Sequence, residues 1–311
     1  MFCIAAFIVL SILGIFSASN RALAKEALDC VLRRVTFRPC NTGFDEKMKS
    51  RILGSVLNRS ETAARFINKN FEVLAWIFIL LFFAAGVFAI RGVYLFYTTG
   101  SCNGLNSAGF CVFDPTGQNN QVSAAEGCSV DPKSESDLTL ENVDLSSFPV
   151  LNSDAADNIV MIGCYHCEYT RQAYPEMKAL VERYPSRFTF AHFPTKEPDD
   201  YFSRLAYCVN ETAPDKFWQF NGEMFTGDKE QLDDPNYRNQ MLSGLGIDAV
   251  QVQTCTEDSK TVEVVARQLE EIKKTKFYGT PTIFINGRAF VGPKPYRVYA
   301  IELKGLFYWL R

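Results

Sequence analysis

The chain has 311 residues, 47 % of them hydrophobic, and a formal net charge of −3 at neutral pH. That length holds one domain of ordinary size plus substantial extra structure. The slight negative charge gives no support to nucleic-acid binding. The apolar residues cluster in two early blocks, so a single soluble globule does not describe the whole chain.

The first block, Met1 to Ser17, is short and lacks the basic start of a secretory signal, although Ala18-Ser19 and Ala22-Leu23-Ala24 could serve as cleavage sites. It reads as a membrane span over residues 1–18 with an outer N-terminus. Residues 19–71 then form a basic segment, two amphipathic helical stretches around a turn at Arg38 to Gly43. Its Cys30 and Cys40 face a reducing cytosol, where free thiols are the default. The second block begins at Val73 and stays uncharged through Ile90; extended to Tyr97 past Arg91, it spans a bilayer core of ~30 Å. Trp76, Tyr94 and Tyr97 stand at interfacial positions. A span over residues 72–97 follows.

Charge orients the chain. Residues 21–71 carry eleven Lys and Arg against five Asp and Glu, whereas residues 92–157 carry one Lys against nine acids. An excess of Lys and Arg marks the cytoplasmic face, so 21–71 lie inside and everything after the second span outside. The basic segment has no nucleic-acid-binding motif, and topology already accounts for its charge.

Residues 98–137, rich in Gly, Ser, Asn, Asp and Gln, read as an extracytoplasmic linker. It holds Cys102, Cys111 and Cys128; outside the cytoplasm cysteines tend to pair, and three leaves one partner unassigned, with Cys3 a candidate. A globular domain runs over residues 138–311. An edge strand begins near Leu138-Thr139-Leu140. A core strand at Asn158–Ile162, a helix from Cys164 to Tyr184 and a strand at Arg187–Phe193 follow. A mainly helical insert spans about 199–276. Strands Thr282–Ile285 and Arg288–Val291 are joined by Asn286-Gly287, a two-residue hairpin signal. A helix from Tyr296 to Leu310 closes the chain.

Cys164-Tyr165-His166-Cys167 carries the chemistry. Two cysteines two residues apart at a strand-to-helix junction can close a reversible disulfide. The helix N-terminus stabilises a thiolate on the first, Cys164, expected to be exposed, while Cys167 lies one turn in and resolves the mixed disulfide. His166, beside Cys164, lowers the thiol pKa further, which biases the pair toward oxidising other thiols. Glu168 reads as a first-turn helix acid. His192, in an aromatic run at a strand end, reads as packing.

The order of elements, the Cys-x-x-Cys after the first core strand and Gly279-Thr280-Pro281-Thr282 before the hairpin together resemble the thioredoxin superfamily. The helical insert and the Cys-x-His-Cys form look most like its DsbA-like branch. The resemblance covers residues 138–311 and none of 1–137. It implies an α/β thioredoxin-like fold with a helical insertion, preceded here by two transmembrane helices and the cytoplasmic segment. It further implies a cis Thr280-Pro281 bond beside the dithiol. Thr280 and Pro281, with Tyr165, would contact substrate peptide, and Cys208 would pair with Cys255 as a structural disulfide. Tyr165 and Thr280 depart from the Pro and Val common in that branch, which leaves the direction of electron flow open. Asn210-Glu211-Thr212 fits the glycosylation pattern without further support.

The expected activity is that of a membrane-anchored thiol–disulfide oxidoreductase, a disulfide donor to exported proteins. Its partners are extracytoplasmic protein thiols and disulfides and a membrane redox protein that regenerates the pair. No cofactor or metal is expected, because the cysteines are the reactive group. Alternatives are an isomerase or reductase, a soft-metal site on Cys164, His166 and Cys167, and a non-enzymatic peptide holder.

Overall fold

The computed structural model describes residues 2–38, 43–58, 60–107, 109–124 and 138–310. It divides into two compact units, residues 1–90 and 91–311. Cys40 and Cys128 lie outside the described residues.

In the first unit, α1 (Phe2–Phe16) is followed directly by α2 (Ala18–Val35), then α3 (Phe44–Leu57) and α4 (Glu61–Lys69). The amphipathic stretch after the turn at Arg38 to Gly43 is divided between α3 and α4, and Ser60 caps α4 by accepting a hydrogen bond from the Ala63 amide. α1 and α2 run back along each other. Arg21 Nε donates to the Gly14 carbonyl at 2.6 Å, and Cys3 Sγ lies 2.6 Å from Cys30 Sγ, both side chains buried.

The Cys3–Cys30 contact differs from the expected outer Cys3 and inner Cys30, two sulfurs that a bilayer would separate. At 1.5 Å per residue, fifteen residues reach ~22 Å, short of a ~30 Å core. Among the described residues one helix, α5 (Phe71–Thr99), is long and apolar enough to cross a membrane.

The second unit is built on a five-stranded mixed sheet. After β1 (Ser123–Ala124) come β2 (Val150–Leu151), β3 (Asn158–Gly163), α6 (Glu168–Arg183) and β4 (Arg187–His192). The helical insert is α7 (Tyr201–Thr212), α8 (Phe217–Thr226), α9 (Pro235–Gly244), α10 (Ala249–Glu257) and α11 (Ser259–Lys273). β5 (Gly279–Thr280), β6 (Thr282–Ile285), β7 (Arg288–Val291) and α12 (Tyr296–Lys304) complete it. The sheet order is β2-β4-β3-β6-β7, with β3 and β4 parallel and the other neighbours antiparallel. The edge strand is Val150–Leu151; residues 138–143, expected in that role, form an irregular segment with the Thr139 amide on the Thr275 carbonyl at 3.1 Å.

Period-two alternation distributes the core over both faces of the sheet. Ile159, Met161, Phe188, Phe190, Ile283 and Ile285 face one hydrophobic cluster, shared with the insert. Val160, Ile162, Ala191 and Phe284 face the other, which Phe277 and Ile272 complete. The long apolar run of β3 is explained by this burial on both faces.

The segment read as a linker is docked on the domain up to the last residue described before 138. Cys102 and Cys111 are joined by a disulfide. Asn106 bonds the hairpin through the Ala289 carbonyl (3.0 Å) and the Val291 amide (2.8 Å). The buried Lys294 ammonium donates to Asn119 O at 2.6 Å and to Asn120 Oδ1. A polar composition marks a segment without a core of its own; it does not show that its hydrogen bonds go to water.

Candidate active site

The site lies where β3 ends and α6 begins. Gly163, the last residue of β3, has no room for a side chain: a Cβ there would fall 2.6 Å from Thr170 Cγ2 and 3.1 Å from the Phe190 ring. This close approach brings the turn carrying Cys164 down onto the helix. Cys164 and Cys167 are joined by a disulfide, with Cα atoms 5.2 Å apart. Cys167 is the N-cap residue of α6, so the helix starts at Glu168, an exposed first-turn acid as expected. The expectation of an exposed Cys164 is corrected: its relative exposure is 0 %, as is that of Cys167.

The Thr280-Pro281 bond is cis. Thr280 Oγ1 donates to Cys167 Sγ at 3.3 Å; Thr195 Oγ1 stands 2.7 Å from the same sulfur and 2.8 Å from Thr280 Oγ1. Two hydroxyls thus converge on the inner sulfur. Hydroxyl donors favour the ionised form of a group they bond, so they suit a Cys167 thiolate leaving the disulfide.

Sequence reasoning missed Glu197. The chain has two histidines, and both are bound to this one carboxylate. His166 Nδ1 lies 3.1 Å from Glu197 Oε1, and the His166 amide donates to the same oxygen at 3.3 Å. His192 Nε2 lies 3.2 Å from Oε2 and 3.3 Å from Oε1, while its Nδ1 meets Ser203 Oγ at 2.8 Å. Glu197 Oε1 also stands 3.5 Å from Cys164 Sγ. The Glu197 side chain is fully buried. Burial alone would raise its pKa, but the charge interaction with His192 and hydrogen bonds from both histidines outweigh it and hold the carboxyl at about 2. The exposed Asp233 carboxylate approaches His166 Nε2 at 3.3 Å from outside.

The Glu197 oxygen that meets His166 Nδ1 is the one nearest the Cys164 sulfur. His192 does pack, its ring stacked on Tyr165 at 4.6 Å, but it is also a polar partner of the site. No local signal in Phe193-Pro194-Thr195-Lys196-Glu197 separates Glu197 from a solvated loop acid. Only the return of the loop after β4 over the cysteine turn reveals it.

Tyr165, expected to contact substrate, has no exposed surface. Its side chain is fully buried among Phe190, Phe202, Phe220 and Phe225, and its hydroxyl donates to Asn221 Oδ1 at 2.8 Å. Burial pushes the phenol pKa well up. A long aromatic between the two cysteines anchors the turn to the helical insert instead of facing solvent. Thr280 is likewise buried, and its backbone already has a partner: Ser123 of β1, with Ala124 opposite Gly279 in an antiparallel register. In the insert, Cys208 and Cys255 are joined by a disulfide. Among the described residues no group of three or more His, Cys, Asp or Glu is arranged to hold a metal ion.

A mixed sheet of this order, a Cys-x-x-Cys disulfide at the first strand-to-helix junction and a cis-proline beside it define a thioredoxin-fold domain. Residues 152–300 match the family model described as thioredoxin, in keeping with the resemblance drawn from the motifs. Among solved structures the chain is similar to the thiol–disulfide exchange protein alpha-DsbA2 of Wolbachia pipientis, with 18 % identity and a TM-score of 0.47, covering 52 % of this chain and 88 % of that one. It is also similar to oxidised BdbD of Bacillus subtilis, with 19 % identity and a TM-score of 0.44, covering 52 % and 91 %. A curated relative, described as Na(+)/H(+) antiporter NhaA 3 of Salinispora tropica, is 24 % identical over 151 residues, 48 % of this chain. The chain spans 22 % of the length of that relative.

Proposed function

We propose that this protein is a membrane-anchored thiol–disulfide oxidoreductase of the DsbA-like kind. Cys164 and Cys167 exchange electrons with exported proteins and act as a disulfide donor. The observation that carries the reading is the Cys164–Cys167 disulfide with Thr195 and the cis-proline residue pair grouped on its inner sulfur. α5 is the anchor, the basic residues of 21–71 stand on the cytoplasmic side, and the thioredoxin-fold domain stands outside.

The donor reaction balances as follows. A client thiolate attacks Cys164 Sγ, the Cys164–Cys167 bond breaks, and Cys167 leaves as a thiolate that receives the Thr280 hydroxyl hydrogen bond. A second client thiolate then attacks the client sulfur of the mixed disulfide and releases Cys164 as a thiolate. The client loses two electrons and gains a disulfide; the pair gains two electrons. A membrane redox partner takes them back, and no bound cofactor takes part.

The opposite direction has one observation in its favour. An ionised Glu197 3.5 Å from Cys164 Sγ opposes a second negative charge on that sulfur and offsets the help from His166. The reduction potential separates the two readings: a donor lies well above thioredoxin, and a value at or below ~−270 mV removes the donor role. Clients are identified with Cys167→Ala, which should accumulate mixed disulfides with exported proteins. If Cys167→Ala traps nothing that Cys164→Ala does not, the oxidoreductase reading fails.

A further inference from the structure

We propose that residues 122–124 are a built-in occupant of the client-docking edge, a pseudosubstrate strand that a client polypeptide must displace. This rests on the oxidoreductase reading only for its consequence; the occupancy itself stands on backbone geometry. β1 lies antiparallel on β5, Ser123 opposite Thr280. Thr280 is the residue whose hydroxyl touches Cys167 Sγ, so the strand runs directly beside the reactive pair. An extended client chain adding itself to this sheet edge would take the same backbone positions.

The domain is shaped for this occupant. A Cβ on Gly279 would fall 2.7 Å from the Ser123 carbonyl oxygen and 2.7 Å from Val122 Cγ2, so a side chain there would expel the strand. Val122 packs against the second hydrophobic cluster, and Ser123 is buried. Upstream, Lys294 and Asn106 hold the approach to the strand. Cys164, the sulfur a client must reach, has no exposed surface. Access to the pair therefore requires a rearrangement, and β1, paired to β5 at two positions, is the short strand lying beside it.

A two-residue ladder is worth little. A strand this short is displaceable by a longer extended segment, which offers more ladder bonds. While it is seated, the apparent client affinity falls by the fraction of open edges. An unfolded polypeptide, able to offer several ladder bonds, outcompetes it. A folded surface cannot. The strand thus selects extended client segments.

The test uses the full chain in detergent and the Ser123→Pro variant, which removes the strand's Ser123 N–H and leaves the cysteines, Thr195, Thr280 and Pro281 untouched. The oxidised protein reacts with reduced, unfolded ribonuclease A and, separately, with dithiothreitol. The ratio of the ribonuclease rate to the dithiothreitol rate should rise about tenfold in the variant, the factor for ~1.4 kcal/mol of lost pairing. A synthetic peptide with the sequence of residues 117–124 should lower the variant's ratio again at millimolar concentration, on the order of the effective concentration of a short tether. An unchanged ratio overturns the proposal, and so does a fall, which would make the strand part of the client platform. Binding of the same peptide, fluorescently labelled, reads the edge without thiol chemistry. Binding to the variant but not to the wild type supports occupancy even if neither protein reacts with dithiothreitol, an outcome that would remove the oxidoreductase reading alone. Absence of binding to the variant overturns the occupancy.

Discussion

Replacing Glu197 by Gln should make the protein's acid stability profile flatter and its neutral-pH stability lower. The carboxyl falls from its ordinary value of 4.5 to about 2 in the folded protein. At ~1.4 kcal/mol for each pH unit, ionised Glu197 contributes about 3 kcal/mol to folding. The folded-state pKa is depressed, so this contribution is complete above about pH 4.5 and is lost as pH falls toward 2. Glutamine keeps the shape but not the charge, and it leaves the buried His192 imidazole without its anionic partner. Urea unfolding of the oxidised full chain in detergent, followed by tryptophan fluorescence, should place Glu197→Gln about 3 kcal/mol below wild type at pH 7. The two proteins should converge as pH approaches 2, where the wild-type carboxyl is itself protonated. A gap of constant size from pH 7 to pH 2 would refute the electrostatic account and assign the loss to packing.

Gly163→Ala should destabilise the domain by about 1–3 kcal/mol, because its Cβ meets Thr170 and the Phe190 ring, and should slow exchange at Cys164 more than its stability loss explains; thermal melts and dithiothreitol kinetics measure the two. The Cys208→Ser/Cys255→Ser pair should cost about 4 kcal/mol from loop-closure entropy for a 47-residue separation, with the reduction potential of Cys164–Cys167 unchanged. Urea unfolding and a glutathione redox titration test the two halves of that statement.

Much of the fold was legible before any coordinates. The continuous apolar run Ile159 to Ile162, the Cys-x-x-Cys that follows it, the Asn286-Gly287 hairpin and the Thr280-Pro281 pair are local signals, set by strand burial, turn chemistry and the behaviour of proline. They place β3, α6, β6 and β7 and locate the reactive pair. The docking of the polar segment before the domain was not legible, because composition reports what a segment lacks, a core of its own, and not which partners satisfy its backbone. The burial of Tyr165 was not legible for a related reason: adjacency to a reactive cysteine does not tell a side chain which way to point.

What the amino-acid order determined by itself is the kind of chemistry, because two thiols three positions apart at a strand end can reach each other within one turn of chain. What only the tertiary structure decided is the setting of that chemistry. Glu197 lies 30 residues beyond Cys167 and meets both histidines through the loop after β4. Ser123 meets Thr280 across 157 positions. The hydrophobic core and strand pairing specify such meetings, and no short-range pattern in the chain encodes them. The charge beside Cys164 and the occupant of the edge beside Cys167 are therefore properties of the fold.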